Sequence, residues 1–332
     1  MENNKDFLGM QPVGKLLFKL AIPTVIAQLI NMLYNIVDRI FIGHIPDAGS
    51  LALTGVGVTM PIIMIVSAFA GLVSSGGAPR ASISMGKGDM DSAEQTLGGC
   101  FLLQVIVSIV LTVVLLLFGE NLLLAFGASE NTISYAASYL NIYAFGTLFV
   151  QLTLGMNAFV TAEGFTKISM VSVAIGAILN IVLDPIMIFG WCGCPKLGID
   201  GAAIATVIGQ FISFFIDAYF YFRCNSKHFN TSLKYMKPEG RIIRQIYQVG
   251  IPAIIMQALM SILTYSINVI FVRVSTDAVT AYGIYYKIQQ FVFFAAFGMN
   301  NAMIPIIAFN YGKQDKKRVN DSIKYGLIYT VS

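Results

Sequence analysis

In a chain of 332 residues, 56% are hydrophobic and only 11% carry a charge, where soluble domains carry about 25%. That balance excludes an ordinary soluble enzyme or a nucleic-acid-binding module; the net charge of +4 reflects where basic residues sit along the chain, not a basic binding face. Four scattered cysteines and two histidines make neither a disulfide framework nor a zinc spacing, and the N-terminal MENNKDFLGMQPVGK lacks the apolar core and cleavage site of a signal peptide.

Taken in order, residues 15–43 read as a first membrane span, interrupted by Pro23 and carrying Asp38 near its far end. Residues 51–79 form an uncharged second span, and a polar loop follows at 80–95. The third span covers 97–118, the fourth lies within 132–162, the fifth covers 168–190 and contains Asp184, and the sixth covers 201–222. Residues 223–244 are basic and form the one linker of any size. The seventh span is 245–272, with Pro252, and the eighth is 278–309; a charged loop then leads into the start of a ninth. Each complete span exceeds the roughly 20 residues needed to cross the hydrocarbon. The expected organisation is an N-terminal six-helix bundle (1–222), a cytoplasmic linker (223–244) and the first part of a second bundle (245–332).

The basic residues fix an expected orientation. Of the 21 lysines and arginines, all but Arg39, Lys196, Arg273 and the mid-span Lys287 fall at the N-terminus or in the loops after the even-numbered spans. By the positive-inside rule this places the N-terminus and the long linker in the cytoplasm, and the chain in a plasma membrane as a multi-pass protein.

An internal repeat shapes the fold class. Ala21-Ile22-Pro23 with Gln28 recurs as Gly250-Ile251-Pro252 with Gln257. Ile40-Phe41-Ile42 recurs as Ile270-Phe271-Val272, and Pro79 with GKGD (86–89) recurs as Pro305 with GKQD (312–315). An even number of spans precedes the second copy, so both copies enter the membrane from the same side. This is a parallel repeat about an axis along the membrane normal. The expected fold is an all-α polytopic membrane protein of two parallel-repeat six-span bundles, the second incomplete in this chain; a second unit as long as the first would bring the protein to roughly 450 residues.

Asp184 is the residue whose position demands a task. A carboxylate near the centre of a membrane helix costs about 2.5–3.5 kcal/mol on insertion scales. Asn180, one turn earlier, shares its face, and Pro185 leaves the carbonyl of Ile181 without its usual partner. An acid, an amide and a freed carbonyl within two turns suit a cation or a proton. A helix packed through one buried, neutral acid is the alternative.

Ile22-Pro23, VDRIFIG (37–43), the GKGD loop, TAEG (161–164), LNIVLDPIMIFG (179–190) and GIDGAAIAT (198–206) together resemble the multidrug and toxic compound extrusion (MATE) family, over the whole chain, and within it the bacterial and archaeal branch of ion-coupled exporters. The resemblance implies two bundles in a V around a central cavity, and exchange of a drug-like, often cationic, substrate for Na⁺ or H⁺. It implies an ion-coupling site, and hence the candidate metal ligands, at Asp38, Asn180, Asp184 and Thr206: an all-oxygen set, as a hard cation prefers. It also makes Asn31, Tyr34, Asn157 and Glu163 candidate substrate-binding residues. The expected partners are small organic cations or amphiphiles and membrane lipids; no nucleic acid and no cofactor beyond the coupling Na⁺ or H⁺ is expected, and the protein is expected to be a monomer.

Several residues stay open. Asn31, Tyr34 and Asn157 could equally be interhelical glue, and Glu163 a solvated helix end. Arg39 follows Asp38 directly but points about 100° away on a helix, so it is expected to snorkel outward. Asp217 is read as interfacial, and Lys287 as a structural or gating contact. Asn268 stands where Asp38 would align in the second copy. The rival functions are a lipid or polysaccharide flippase of the same superfamily and an ion channel. An enzyme is not expected, because the sequence holds no nucleophile–base constellation, zinc motif or phosphate loop.

Overall fold

A computed structural model describes residues 7–46, 48–224, 239–274 and 276–331. Most of the 223–244 linker therefore lies outside the described residues, as do the side chains of Asn268 and Lys287. Among the described residues the chain is helical throughout and has no strand. A short α1 (Phe7–Met10) precedes α2 (Val13–Gly43) and α3 (Gly49–Gly71); a π-helical segment (Leu72–Gly77) carries α3 into α4 (Ala78–Gly86). Then come α5 (Met90–Ala125), α6 (Ile133–Ala162), α7 (Thr166–Phe189) and α8 (Ile199–Tyr219). The second unit holds α9 (Gly240–Val274), α10 (Thr276–Gly312) and α11 (Lys316–Val331). Seven helical stretches among the described residues are long and apolar enough to cross a membrane.

The helices run further than the hydrophobic runs that announce them. The polar stretch 80–95 is not a loop: it is the end of α4 and the first turns of α5, joined at Lys87–Asp89. Asp89 makes this possible. Its side chain accepts from the Ser92 amide at 3.1 Å and caps α5, satisfying one of the donors a helix start leaves bare. The Ser92 hydroxyl first, and then this amide, hold the Asp89 carboxyl below its usual range. Asp315 repeats the device in the second unit, accepting from the Arg318 amide at 3.1 Å. The joint needs a left-handed residue just before the aspartate, supplied by Gly88 (φ 80) in the first copy. In the second it falls on Gln314 (φ 63), at a cost of about 1 kcal/mol.

Inside-out hydrophobicity shows which surfaces meet lipid. Along α5, Ile106, Ile109, Val110, Val113, Leu117 and Phe118 are exposed, whereas its polar residues turn inward. Gln104 Nε2 donates to Gln151 O at 2.9 Å, and Gln151 Nε2 to Val66 O at 2.6 Å. These two buried amides tie α5, α6 and α3 together, as polar side chains do between membrane helices.

The two units pack reciprocally. Leu16, Leu17 and Leu20 of α2 share a buried cluster with Ala302, Ile306 and Phe309 of α10. Conversely, Ile246 of α9 packs with Val73 of the π segment, and the backbones close to contact at Gly76, where an added Cβ would stand 2.5 Å from Ile246 O. The first helix of each unit thus lies against the second helix of the other, as a two-fold repeat about an axis along the bundle requires.

Arg318 clamps α1 to this junction. It donates to Asn310 Oδ1 (2.9 Å), Leu8 O (2.9 Å) and Gln11 O (2.8 Å). Hydrogen bonds from a charged donor each contribute about 1.5–3 kcal/mol, not all of it additive. Arg318→Met is expected to lower stability by about 2–3 kcal/mol, read as a drop of several degrees in the thermal unfolding midpoint in detergent; an unchanged midpoint contradicts the clamp.

Candidate ion and substrate site

Asp38 lies on α2 and Asp184 on α7, two helices packed side by side. Both acids are turned into the bundle, with 5% and 0% exposure. Arg39, in contrast, is exposed, although its charge still reaches Asp38. The two carboxylates lie within range of one another's charge. Asp38 Oδ1 is buried and has no hydrogen-bond partner.

Asn180 joins Asp184 to α8. Its amide nitrogen stands 3.3 Å from Asp184 Oδ1 and 3.2 Å from Thr206 Oγ1. Turned about its last torsion, the amide satisfies both neighbours better: the nitrogen donates to Asp184 Oδ2 at 3.3 Å, and the oxygen accepts from Thr206 Oγ1 and the Thr206 amide at 3.2 Å. Assignment by hydrogen bonding favours this second orientation. All four residues that sequence reasoning singled out for a cation are thus on three adjoining helices, α2, α7 and α8. Their donors are oxygens, two of them acidic, and Asp38 carries an unpaired one, which fits a hard monovalent cation or a proton.

Tyrosines close the site, and two of them escaped the sequence reading. Tyr34, one turn before Asp38, feels the charge of both acids. Tyr139 of α6 lies against Thr206 and within range of Asp38, and Tyr143 sits one turn further, near Tyr34. Tyr139 and Tyr143 are almost fully buried. Their signal was an i, i+4 pair of polar-tipped rings on an uncharged span.

A cavity of about 370 Å³ opens onto this cluster. Asn180, Thr206 and Tyr34 line one part of it, Asn31 and Gln28 the α2 wall, and Asn157 a separate part. It lies chiefly within the first six-helix bundle; from the second unit, α10 contributes Asn301, Ile304 and Pro305. The carboxylates of Asp38 and Asp184 sit behind its wall. Of the four candidate substrate residues, Asn31, Tyr34 and Asn157 line the cavity and Glu163 does not. Glu163 is neither solvated nor exposed: it is 6% accessible and accepts from the Tyr221 hydroxyl at 2.9 Å. Asp217, expected at the interface, is likewise fully buried.

A polar tie also joins the units beside the cavity. Thr24 Oγ1 donates to Gly298 O of α10 at 2.6 Å, beside Pro23, whose missing N–H interrupts the α2 ladder. A Cβ on Gly298 would stand 2.6 Å from Val25 Cα, so α2 and α10 touch backbone to backbone there.

The family model MatE matches residues 23–186 and 252–332. Among curated relatives, the chain is 28% identical to the multidrug export protein MepA of Staphylococcus haemolyticus over 318 residues, which is 95% of this chain and 68% of that protein. It is also 28% identical to MepA of Staphylococcus aureus strain N315, over 98% of this chain and 71% of the relative. Among solved structures, it superposes on the outward-facing conformation of a multidrug resistance MATE family transporter with a TM-score of 0.90 at 23% identity, covering 99% of this chain and 71% of the other. A MOP superfamily transporter from Pyrococcus furiosus, described as having a binding pocket of reverse polarity, gives a TM-score of 0.89 at 23% identity with the same coverage.

Proposed function

Because the chain belongs to the MatE family of membrane transporters, we propose that it is an antiporter that exports cationic or amphiphilic organic compounds and is driven by inward flow of Na⁺ or H⁺. The observation that carries this reading is the pair Asp38 and Asp184, buried on adjoining helices, with an unpartnered oxygen and a path through Asn180 and Thr206 to the cavity. MepA relatives are multidrug export proteins by name, which supports the substrate class. The basic-residue distribution supports a cytoplasmic N-terminus in a plasma membrane.

Two acids held close in a dry site repel, and an entering cation relieves that repulsion. The ion therefore favours the arrangement in which α2 and α7 stand close. A ligand shifts a conformational balance only by its difference in affinity for the two states, and the α2–α7 spacing supplies that difference. Movement of α2 at Pro23 passes to α10 through the Thr24–Gly298 tie. Drug in the cavity touches Asn180, Thr206 and Tyr34, the same residues that support the acids, so the two ligands are reciprocally coupled.

The test is ethidium transport in proteoliposomes with Na⁺ and pH gradients imposed separately. At least one gradient is expected to drive dye movement against its own gradient. Dye flux indifferent to both gradients overturns the coupling.

A further inference from the structure

Asp217 has no part in the site just described, yet it is 0% exposed, no donor meets either carboxylate oxygen in full hydrogen-bonding geometry, and the groups nearest to it are the neutral side chains of Ser172 and Asn157. It lies on α8 one turn beyond Ser213 and one turn before Tyr221, on a common face. Across from it on α7 is Ser172. Ser172 Oγ donates to Ser213 O at 3.1 Å, and Ser213 Oγ to Ser172 O at 3.0 Å, so the two hydroxyls staple the helices beside the acid. Asn157 of α6 also stands next to Asp217, fixed by Ser169 Oγ, which donates to its Oδ1 at 2.7 Å. Tyr221 lies within electrostatic range of both Asp217 and Glu163.

A carboxylate shut away from water without a counter-charge is among the costliest arrangements in a protein interior. Here it is flanked by the hydroxyls of Ser172 and Ser213 and by the Asn157 amide, neutral groups from three helices, and with its own two oxygens the hydroxyls offer the oxygen ligands a hard monovalent cation takes. The position along the bundle adds direction. Ser172 and Asp184 are separated by roughly 18 Å of α7. Between them α7 and α8 meet at Gly176 and Gly209, where a Cβ on Gly209 would stand 2.8 Å from Gly176 O. The cavity follows this seam, with Asn180 and Thr206 lining it toward one acid site and Asn157, Ser169 and Ser213 toward the other.

We propose that Asp217, with Ser172, Ser213 and Asn157, forms a second monovalent-cation station at the cytoplasmic end of the α7–α8 seam, taking the Na⁺ or H⁺ released from the Asp38–Asp184 site before it leaves the membrane. This rests on the reading of that first site as the ion-coupling site. The station lets the ion and the drug occupy the cavity at different depths, so that one need not pass through the other.

Cation stoichiometry on the purified protein tests it: radiotracer Na⁺ bound at alkaline pH, and protons taken up on acidification. The wild type is expected to bind two monovalent cations per chain. Asp217→Asn is expected to lose one and to leave the affinity of the other within about threefold; Asp184→Asn is expected to lose the other. The pair Ser172→Ala and Ser213→Ala, which keeps the charge, is expected to weaken the second equivalent about tenfold, a loss of one or two modest hydrogen bonds. Unchanged stoichiometry in Asp217→Asn overturns the station. A normal Asp217→Asn loss with no change in Asp184→Asn keeps the station and removes the first site from the coupling. If Asp217→Asn does not fold to a monodisperse protein, the serine pair decides, and wild-type affinity in it overturns the proposal.

Discussion

Asp184→Asn is expected to abolish ion-driven ethidium efflux while the protein still folds and still binds the dye. The substitution removes a charge and almost no volume, and the amide can keep its contact with Asn180, 3.3 Å away. What goes is half of the negative charge that holds the ion. Truncating one charged partner of a buried ion costs about 2–5 kcal/mol in binding, which is roughly thirtyfold or more in ion affinity. Asp38→Asn is expected to behave alike, because its free oxygen points to the same task. Thr206→Val, which takes away one neutral oxygen, is expected to cost about tenfold. The measurement is efflux rate against the imposed gradient, with dye affinity from fluorescence polarisation as the control. Full coupled efflux in Asp184→Asn removes this site from the mechanism.

That these residues would lie together was legible in part for a physical reason. Charge inside a membrane span is expensive enough that Asp184 stands out without any alignment, and helical geometry alone brings Asn180 to it, whereas Asp38 and Thr206 entered as candidates through the family resemblance. The repeat was legible because both copies need proline and glycine at fixed places, and those residues are visible as letters. The burial of Asp217 and Glu163 was not legible. Each lies near the end of its hydrophobic run, but α8 continues as a π-helical turn through Phe220–Cys224, where Tyr221 donates to Glu163 and lies within electrostatic range of Asp217. The polar run 80–95 concealed helix for a related reason: beyond the hydrocarbon a helix no longer needs apolar residues, and a single capping aspartate is enough to start the next one. Tyr139 and Tyr143 carry no charge, and nothing in their spacing separates a site residue from core packing. Nor could spacing tell which glycines face backbone.

Gly86 and Gly312, equivalent positions of the repeat, are where that last point has the largest consequence. A Cβ on Gly86 would lie 2.0 Å from Phe309 O, and one on Gly312 would lie 2.1 Å from Ile83 O. Both obstacles are backbone, which cannot rotate aside as a side chain can. The ends of α4 and α10 therefore cross at glycine, each repeat contributing one, at the end of the bundle where the basic residues gather. The crossing is expected to seal the cavity from that end. Gly86→Val and Gly312→Val are each expected to hold the helix ends apart, to cut transport at least tenfold, and to leave the cavity open toward the basic side. Overpacking of this kind costs about 1–3 kcal/mol or more, enough to invert a balance between two closely matched conformations. In a cysteine-free background, Ser74→Cys on the cavity wall is expected to react with an impermeant maleimide from the basic side faster in either valine variant than in the parent. Gly57→Ala is the control, since nothing stands within 4 Å of its added carbon, and it should leave both rates unchanged. Wild-type transport and labelling in Gly312→Val would show that the crossing is not the seal.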